Sequence, residues 1–439
     1  MALSLTDSAT GFDRFGLDSG ILRGVRAAGF LEPRSIQVET IPAALAGRDV
    51  LGLAQTGTGK TAAFALPLLH RLTRERRRGP RVLVLAPTRE LATQIAGEFR
   101  TLARFTELQV VTIYGGVSAH SQIKALRRNP QIVVGCPGRV LDLIGRSVLH
   151  LGGIESVVID EADHMFDMGF LPDLRRILAT LPSNRQNLLF SATMPKEIRT
   201  LADKLLRDPH VVELERSGPA ETIDHFLVAI REDRKRDLLE RILAADDCES
   251  AIVFTRTKHR ARRLAKQLDS AGHRAVGLQG NMSQSQRDRA MQGFRKGRYD
   301  VLVATDIAAR GIDVQGVSHV INFDVPGTPD AYTHRIGRTG RAEREGRALT
   351  FVTRDDGAWL RATERKLGNR IPRQTIEGFE GESIDSGGQY EMAHRASGHD
   401  GRGGRSGNAG SRTGSAARSR GRGQRRPGRS SARRQRRRG

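Results

Sequence analysis

The run Ala54-Gln55-Thr56-Gly57-Thr58-Gly59-Lys60-Thr61 sets two glycines, a lysine and a hydroxyl in an order suited to phosphate. Glycines let successive backbone N–H groups converge on anionic oxygens at the start of a helix. Lys60 is then placed to neutralise β- and γ-phosphates, and the Thr61 hydroxyl to ligate Mg²⁺. Ala54 departs from the general pattern, which begins with glycine. About 100 residues later, Asp160-Glu161-Ala162-Asp163 closes the apolar run VVID. An Asp there can hold the metal from the side opposite Thr61, while Glu161 orients and deprotonates an attacking water. Taken singly, the first run could be a Gly-rich turn without a ligand and the second a solvated acidic turn. Together they point to phosphoryl chemistry.

Short apolar, β-branched runs must position these residues. In the first half they fall at 49–54, 81–87, 110–114, 132–135, 156–163 and 187–193. Each is apolar on successive positions, as strands covered on both faces require. Amphipathic stretches such as 90–102 and 171–181 lie between them, so the pattern is α/β with a parallel sheet. A second series follows at 225–230, 250–256, 274–280, 299–306, 319–325 and 347–353, with helices expected over 258–270 and 283–295. The expected organisation is a first domain over 1–209, a linker over 210–222, a second domain over 223–377 and a disordered Arg/Gly-rich tail over 378–439. The tail lacks the apolar surface needed to offset its ordering entropy.

The chain has 439 residues and a formal net charge of +23. Residues 395–439 hold 15 arginines against the single acid Asp400, so they carry about +14 of that charge. Such a balance implies a polyanionic partner, either nucleic acid or an anionic membrane surface. No apolar run approaches the roughly 18 residues of a membrane span. The amino terminus lacks the charged-then-apolar order of a secretory signal. Cys136 and Cys248, far apart, give neither a disulfide framework nor zinc spacing. A soluble, cytoplasmic protein is expected.

Together the phosphate loop and acidic tetrapeptide resemble those of the DEAD-box family of RNA helicases, and the likeness continues in order along the chain. Pro87-Thr88-Arg89-Glu90-Leu91-Ala92, Gly115-Gly116, Ser191-Ala192-Thr193, Ala304-Thr305-Asp306 through Asp313, and His334-Arg335-Ile336-Gly337-Arg338-Thr339-Gly340-Arg341 match family motifs as they stand. The likeness spans roughly residues 12–375. The segment 371–380 and the basic tail further resemble the bacterial RhlE-type branch. The resemblance implies two RecA-like domains facing each other across an ATP site.

It also implies roles for particular residues. Gly29 to Gln37 is similar to an adenine-recognition motif, in which the Gln37 amide matches adenine N7 and N6–H₂. Phe12 would pack against the adenine, although a plain core role would suit it too. Arg34 stands where the family usually has Thr. Asp313 resembles the ribose contact, and Arg338 and Arg341 would stabilise charge on the γ-phosphate in the transition state. Arg335, Arg338 and Arg341 are spaced by three, which would place them on one face of a helix or tight turn; a basic surface patch is the alternative. Ser191 and Thr193 would hydrogen-bond around Asp163 and His334, coupling hydrolysis to strand separation.

Positions implied to grip an RNA backbone are Arg89, Gly115, Gly116, Gly138 and Arg139 in the first unit and Arg256, Gly280, Arg287 and Thr305 in the second. Cys136 replaces the usual Thr there. Backbone contacts of this kind give little sequence preference. The partners implied are single-stranded and short duplex RNA, with ribosomal or RNA-decay proteins as candidates, and no membrane. An ATP-switched RNA clamp or RNA chaperone in ribonucleoprotein assembly could use the same motifs.

Overall fold

Each expected apolar run is a strand in the computed structural model, which describes residues 11–54, 57–75, 77–214, 223–309, 316–340 and 346–379. The first sheet contains β1 (Val50–Leu53), β2 (Val82–Leu85), β3 (Val110–Ile113), β4 (Ile132–Gly135), β5 (Ser156–Ile159), β6 (Gln186–Ser191) and β7 (His210–Glu213). Its order is β3-β4-β2-β5-β6-β1-β7, parallel throughout. The second contains β8 (Ile223–Ala229), β9 (Ala251–Phe254), β10 (Ala275–Leu278), β11 (Val301–Ala304), β12 (His319–Asn322) and β13 (Gly346–Val352). Its order is β10-β11-β9-β12-β13-β8, again parallel.

Alternating side chains on the buried strands feed two apolar layers, one on each face of a sheet. Val82 and Val84 join Phe64, Ile95 and Phe99 on one face, while Leu83 and Leu85 join Leu143, Leu174 and Ile198 on the other. In the second sheet, Ile252 and Phe254 face Tyr332 and Leu360, and Ala251 and Val253 face Leu238 and Leu264. Each such side chain, taken fully from water, contributes about 1.5–3 kcal/mol. Consecutive apolar residues are therefore what a two-sided sheet requires.

The helices follow their caps. Thr88 Oγ1 accepts from Leu91 N at 3.3 Å and starts Arg89–Leu102; Ser283 Oγ accepts from Gln286 N at 3.3 Å and starts Gln284–Arg295. The helix expected over 171–181 is Leu171–Leu178, shortened ahead of Pro182, since the residue before a proline is disfavoured in a helix. Among the described residues, no helix is long and apolar enough to cross a membrane.

The linker expected over 210–222 needs correction at its start. His210–Glu213 is β7, a parallel edge strand whose Val212 pairs with Gly52 of β1. The first domain therefore extends past 209. On the second sheet, Gln374 N donates to Leu227 O at 2.9 Å and Ile371 is fully buried, so the segment after the last helix is packed along β8. The expected tail from 380 onward lies outside the described residues, as does the linker remainder 215–222.

Strand β7 separates two neighbouring valines. Val212 is fully buried and Val211 is half exposed. Val212→Asp should lower the melting temperature of the full chain by several degrees, reflecting about 2–4 kcal/mol for a buried unpaired carboxylate, and Val211→Asp should leave it unchanged. Equal effects at the two positions would return this segment to linker status.

Candidate active site

Most of the motifs lie where a strand ends. The loop 54–61 follows β1, Asp160 follows β5, Ser191 ends β6, Thr305 follows β11 and Arg256 lies just beyond β9. The carboxyl edge of a parallel sheet is where ligands bind in such folds.

Within the phosphate loop, Gly57 and Gly59 have φ of 86° and 93°, a left-handed backbone that glycine adopts without strain. Gly59 caps the helix Lys60–Arg74, and a Cβ there would lie 2.6 Å from Gln37 Nε2. Gln37 is buried; its Nε2 donates to Gly59 O at 3.1 Å and its Oε1 accepts from Arg34 N at 2.9 Å. Arg34 Nη1 donates to Gly57 O at 2.7 Å. The arginine that stands where the family usually has threonine thus ties the start of the helix Ser35–Leu45 to the loop 57–59. Phe12 is buried against Phe15 and Phe30, with ring centroids 6.0 Å away in each case. Gln55 and Thr56 lie outside the described residues, as do Asp313 and Arg341. Thr58 and Thr61 lie at and just beyond the loop's junction with its helix.

Lys60 is buried, with Nζ donating to Ala54 O at 3.0 Å and standing 3.8 Å from Asp160 Oδ1. Burial pushes the Asp160 carboxyl above its usual range; the Lys60 charge opposes this and the Glu161 charge adds to it. Glu161 goes the other way. Burial alone would raise it, but the hydrogen bond and charge of His164, followed by the charges of Lys60 and Arg338, bring it well below the carboxylate range. Thr61 and Asp160 offer hard oxygen donors that fit Mg²⁺, an ion that normally completes its shell with waters and phosphate oxygens. Among the described residues, no group of three or more His, Cys, Asp or Glu side chains forms a metal centre by itself.

Glu161 has φ 53° and ψ 53°, a left-handed conformation that costs a non-glycine residue about 1–2 kcal/mol. This sharp turn joins β5 to the helix Ala162–Asp167 and is held by Glu161 N donating to Asp160 Oδ1 at 2.9 Å. It leaves Glu161 Oε2 2.8 Å from His164 Nδ1.

Asp163 serves the next strand. Its Oδ2 accepts from Thr193 N at 2.9 Å and from Thr193 Oγ1 at 3.0 Å, and its own N donates to Ser191 Oγ at 3.2 Å. Ser191 Oγ in turn donates to Thr193 O at 2.7 Å. The expected contact of His334 with this group falls instead on His164, whose Nε2 lies 3.3 Å from His334 Nδ1. The sequence reading missed His164. Its position three residues after Glu161 at a helix start was the available signal.

Arg335 and Arg338 do not share a helix face, and Arg341 lies outside the described residues. The helix Pro329–Ile336 stops before Arg338, with Gly337 as its C-cap. Arg335 turns inward, pairing with Asp306 through Nε at 2.5 Å and Nη2 at 2.7 Å and donating from Nη1 to Asn322 Oδ1 and Asp324 O. A buried guanidinium needs that full set of acceptors. Arg338 is also buried, but its charge is felt at Glu161 of the first sheet.

Six of the nine expected RNA-gripping residues line one cavity of about 420 Å³: Arg89, Gly115, Gly138, Arg139, Gly280 and Arg287. Arg89 Nη1 donates to Gln284 Oε1 at 3.1 Å, and Arg287 Nε pairs with Glu90 Oε1 at 2.7 Å, so residues of both sheets brace it. Arg139 Nη2 donates to Val117 O at 3.0 Å. Burial, with Glu90 adding to it, pushes the Cys136 thiol up to about 12, leaving a small neutral wall residue. Arg256 and Thr305 fall outside this cavity lining: Arg256 N donates to Asp324 Oδ2 at 2.8 Å with its side chain exposed, and Thr305 is buried.

Gly116 supports the cavity indirectly. Its φ is 73°, and a Cβ there would stand 2.1 Å from Arg89 Nη2. Gly116→Ala should displace Arg89 and weaken single-stranded RNA binding about tenfold, uniformly across sequences, with ATP affinity in the absence of RNA unchanged. Unaltered RNA affinity in a filter-binding titration would remove Arg89 from the path.

Comparison with known proteins agrees with this geometry. The DEAD/DEAH box helicase family matches residues 34–201, and the helicase conserved C-terminal domain matches residues 234–343. The ATP-dependent RNA helicase CshA of Listeria monocytogenes is 46% identical over 363 residues, covering 82% of this chain and 70% of that protein. The CshA protein of Geobacillus kaustophilus is 42% identical over 378 residues, covering 85% and 81%. Among solved structures, Saccharomyces cerevisiae Dbp5 bound to RNA and ADP BeF3 aligns with a TM-score of 0.76 at 35% identity, covering 84% of this chain and 96% of that one. With the phosphate loop, the acidic tetrapeptide and the arginine segment in these places, the chain belongs to the DEAD-box family of ATP-dependent RNA helicases.

Proposed function

We propose that ATP and RNA draw the two sheets together over one hydrolytic centre, and that the bent RNA path opens a short duplex locally. The observation that carries this reading is the buried cluster of Lys60, Asp160 and Glu161 on the first sheet, which already feels Arg338 of the second. Gln37 and Arg34 hold the adenine-reading segment against the loop, and Phe12 backs that segment. The backbone of 54–61 receives the phosphates and Lys60 moves from Ala54 O to their oxygens. Thr61 and Asp160 would hold Mg²⁺, which would supply charge neutralisation to the phosphates when bound.

Glu161 then takes a proton from a water as its oxygen bonds to the γ-phosphorus and the β–γ bridge bond breaks, giving ADP and phosphate. Its lowered proton affinity keeps it ionised in the resting site. Arg338 and Arg341 balance the charge spread over the transferring group, and Asp313 holds the ribose. Product release reopens the cleft and frees the RNA. Asp163 with Ser191 and Thr193, and His334 opposite, transmit the state of the cleft. In the groove, arginines meet phosphates and glycines let the strand approach, while discrimination from DNA falls to 2′-hydroxyl contacts. The RhlE-type branch keeps the support of 371–380 and the basic tail, whereas the relatives compared above carry the name CshA.

Glu161→Gln should retain ATP and RNA binding and lose turnover by about 10²-fold or more, and Lys60→Ala should abolish productive ATP binding. The assay is ATPase rate with no nucleic acid, single-stranded RNA, duplex RNA and DNA, alongside displacement of a short RNA strand. Normal hydrolysis by the Gln variant would sink the Glu161 assignment. RNA clamping without strand displacement would favour the clamp.

A further inference from the structure

Three side chains from two sheets stand in one line. His164 Nδ1 is 2.8 Å from Glu161 Oε2, and on the far side of the same ring Nε2 is 3.3 Å from His334 Nδ1. The two imidazoles meet edge to face, with centroids 4.9 Å apart and planes at 89°. His164 is 4% exposed and lies on the helix that Glu161 opens; His334 lies on the helix Pro329–Ile336 of the second sheet. They line a small cavity of about 40 Å³ with Asp167, Asp306, Arg335 and Arg338.

Hydrogen-bond inventory fixes the first link of this line. An ionised carboxylate only accepts, so His164 Nδ1–H donates to Glu161 Oε2. Burial first, and the charge of the neighbouring His164 second, push His334 down to about 4, which keeps that ring neutral, with one nitrogen that donates and one that accepts. Its Nδ1 meets His164 Nε2, so a single proton between the two rings completes the line.

The backbone gives the line a purpose. Glu161 is held in a left-handed conformation that costs free energy, so its side chain needs an anchor to keep one direction. His164 is that anchor, and its own ring is oriented by a residue of the other sheet. We propose that His164 is a positioning residue that fixes the Glu161 carboxylate toward the attacking water and makes that fixation depend on the docking of His334. The inference rests on the reading of Glu161 as the base. Under it, part of the RNA stimulation of turnover is the completion of this line when the sheets close. His164 itself bonds neither substrate nor metal.

Asparagine and glutamine separate the two halves of the ring. An Asn amide reaches roughly where Nδ1 stands, and a Gln amide roughly where Nε2 stands. In the full chain, H164L should lower kcat about tenfold with KM for ATP and the affinity for single-stranded RNA unchanged. H164N should recover the RNA-free rate while RNA stimulation stays reduced, and H164Q should recover neither. Melting curves identify a variant that fails to fold; if H164L does, the contrast between Asn and Gln decides. Normal kcat and normal RNA stimulation in H164L, or equal rates in the Asn and Gln variants, would overturn the proposal. E161Q is measured in parallel: if it hydrolyses ATP normally, the base assignment falls and takes this inference with it, whereas an inactive E161Q beside a normal H164L defeats the His164 role alone.

Discussion

Two neighbouring carboxylates, Asp160 and Glu161, are buried almost completely, and desolvated like charges persist only where cations or donors compensate them. Much of the site answers that requirement. Lys60 arrives from the phosphate loop on one side, the Glu161 backbone N–H bonds back to Asp160, and His164 binds Glu161 from the helix that follows. Arg338 supplies further positive charge from the second sheet. On the first sheet Lys60 and these hydrogen bonds compensate the two carboxylates in part, and the second sheet adds the charge of Arg338. Burial raises both carboxyls; at Glu161 the hydrogen bond and charge of His164, with the charges of Lys60 and Arg338, outweigh it, whereas at Asp160 burial prevails.

Parallel topology is what allows so many loops to reach that pair. Strands running the same way bring all their carboxyl ends to one edge, so residues far apart in sequence, such as Lys60, Asp160 and Ser191, become neighbours. The order β5-β6-β1 sets Asp160, Ser191 and the phosphate loop at the ends of three adjacent strands. Asp163 can then bond Thr193 beyond β6 while Lys60 beyond β1 approaches Asp160. A different strand order would separate Asp160 from the loop.

Much of this was legible in the sequence because two-sided burial leaves an unmistakable record. Runs such as VLVL and IVVG allow no exposed face, and the loop and tetrapeptide are fixed by residue type. What escaped reading was set by tertiary partners. β7 is a half-exposed edge strand, HVVE, with one fully buried position, so its pattern resembles a polar connection. Arg335 looked equivalent to Arg338 by spacing, but the helix ends between them and Asp306, distant in sequence, claims Arg335. His164 was hidden by treating the tetrapeptide as a closed unit. The left-handed Glu161 has no sequence signature, because the strain belongs to the turn between β5 and its helix.

The groove obeys the same electrostatic logic with the opposite sign. Arg89, Arg139 and Arg287 line it with Glu90, and Arg139 pairs through Nε with Asp142 at 3.4 Å while its Nη1 is buried with no partner among the described residues. A guanidinium so placed favours an anion nearby. Glu90 holds Arg287 across the two sheets, so a phosphate entering the groove competes with a carboxylate for the same arginine. Under the proposed RNA path, that competition limits how tightly the groove alone holds a strand, which suits an enzyme that must release it each cycle. Long-range attraction can then come from elsewhere in the chain, where fifteen arginines between 395 and 439 face a single acid. Attraction of that kind is strongly screened by salt and indifferent to sequence. Under the same proposal, recruitment falls to that basic segment, and the groove, braced by residues of both sheets, grips only as firmly as the cycle allows.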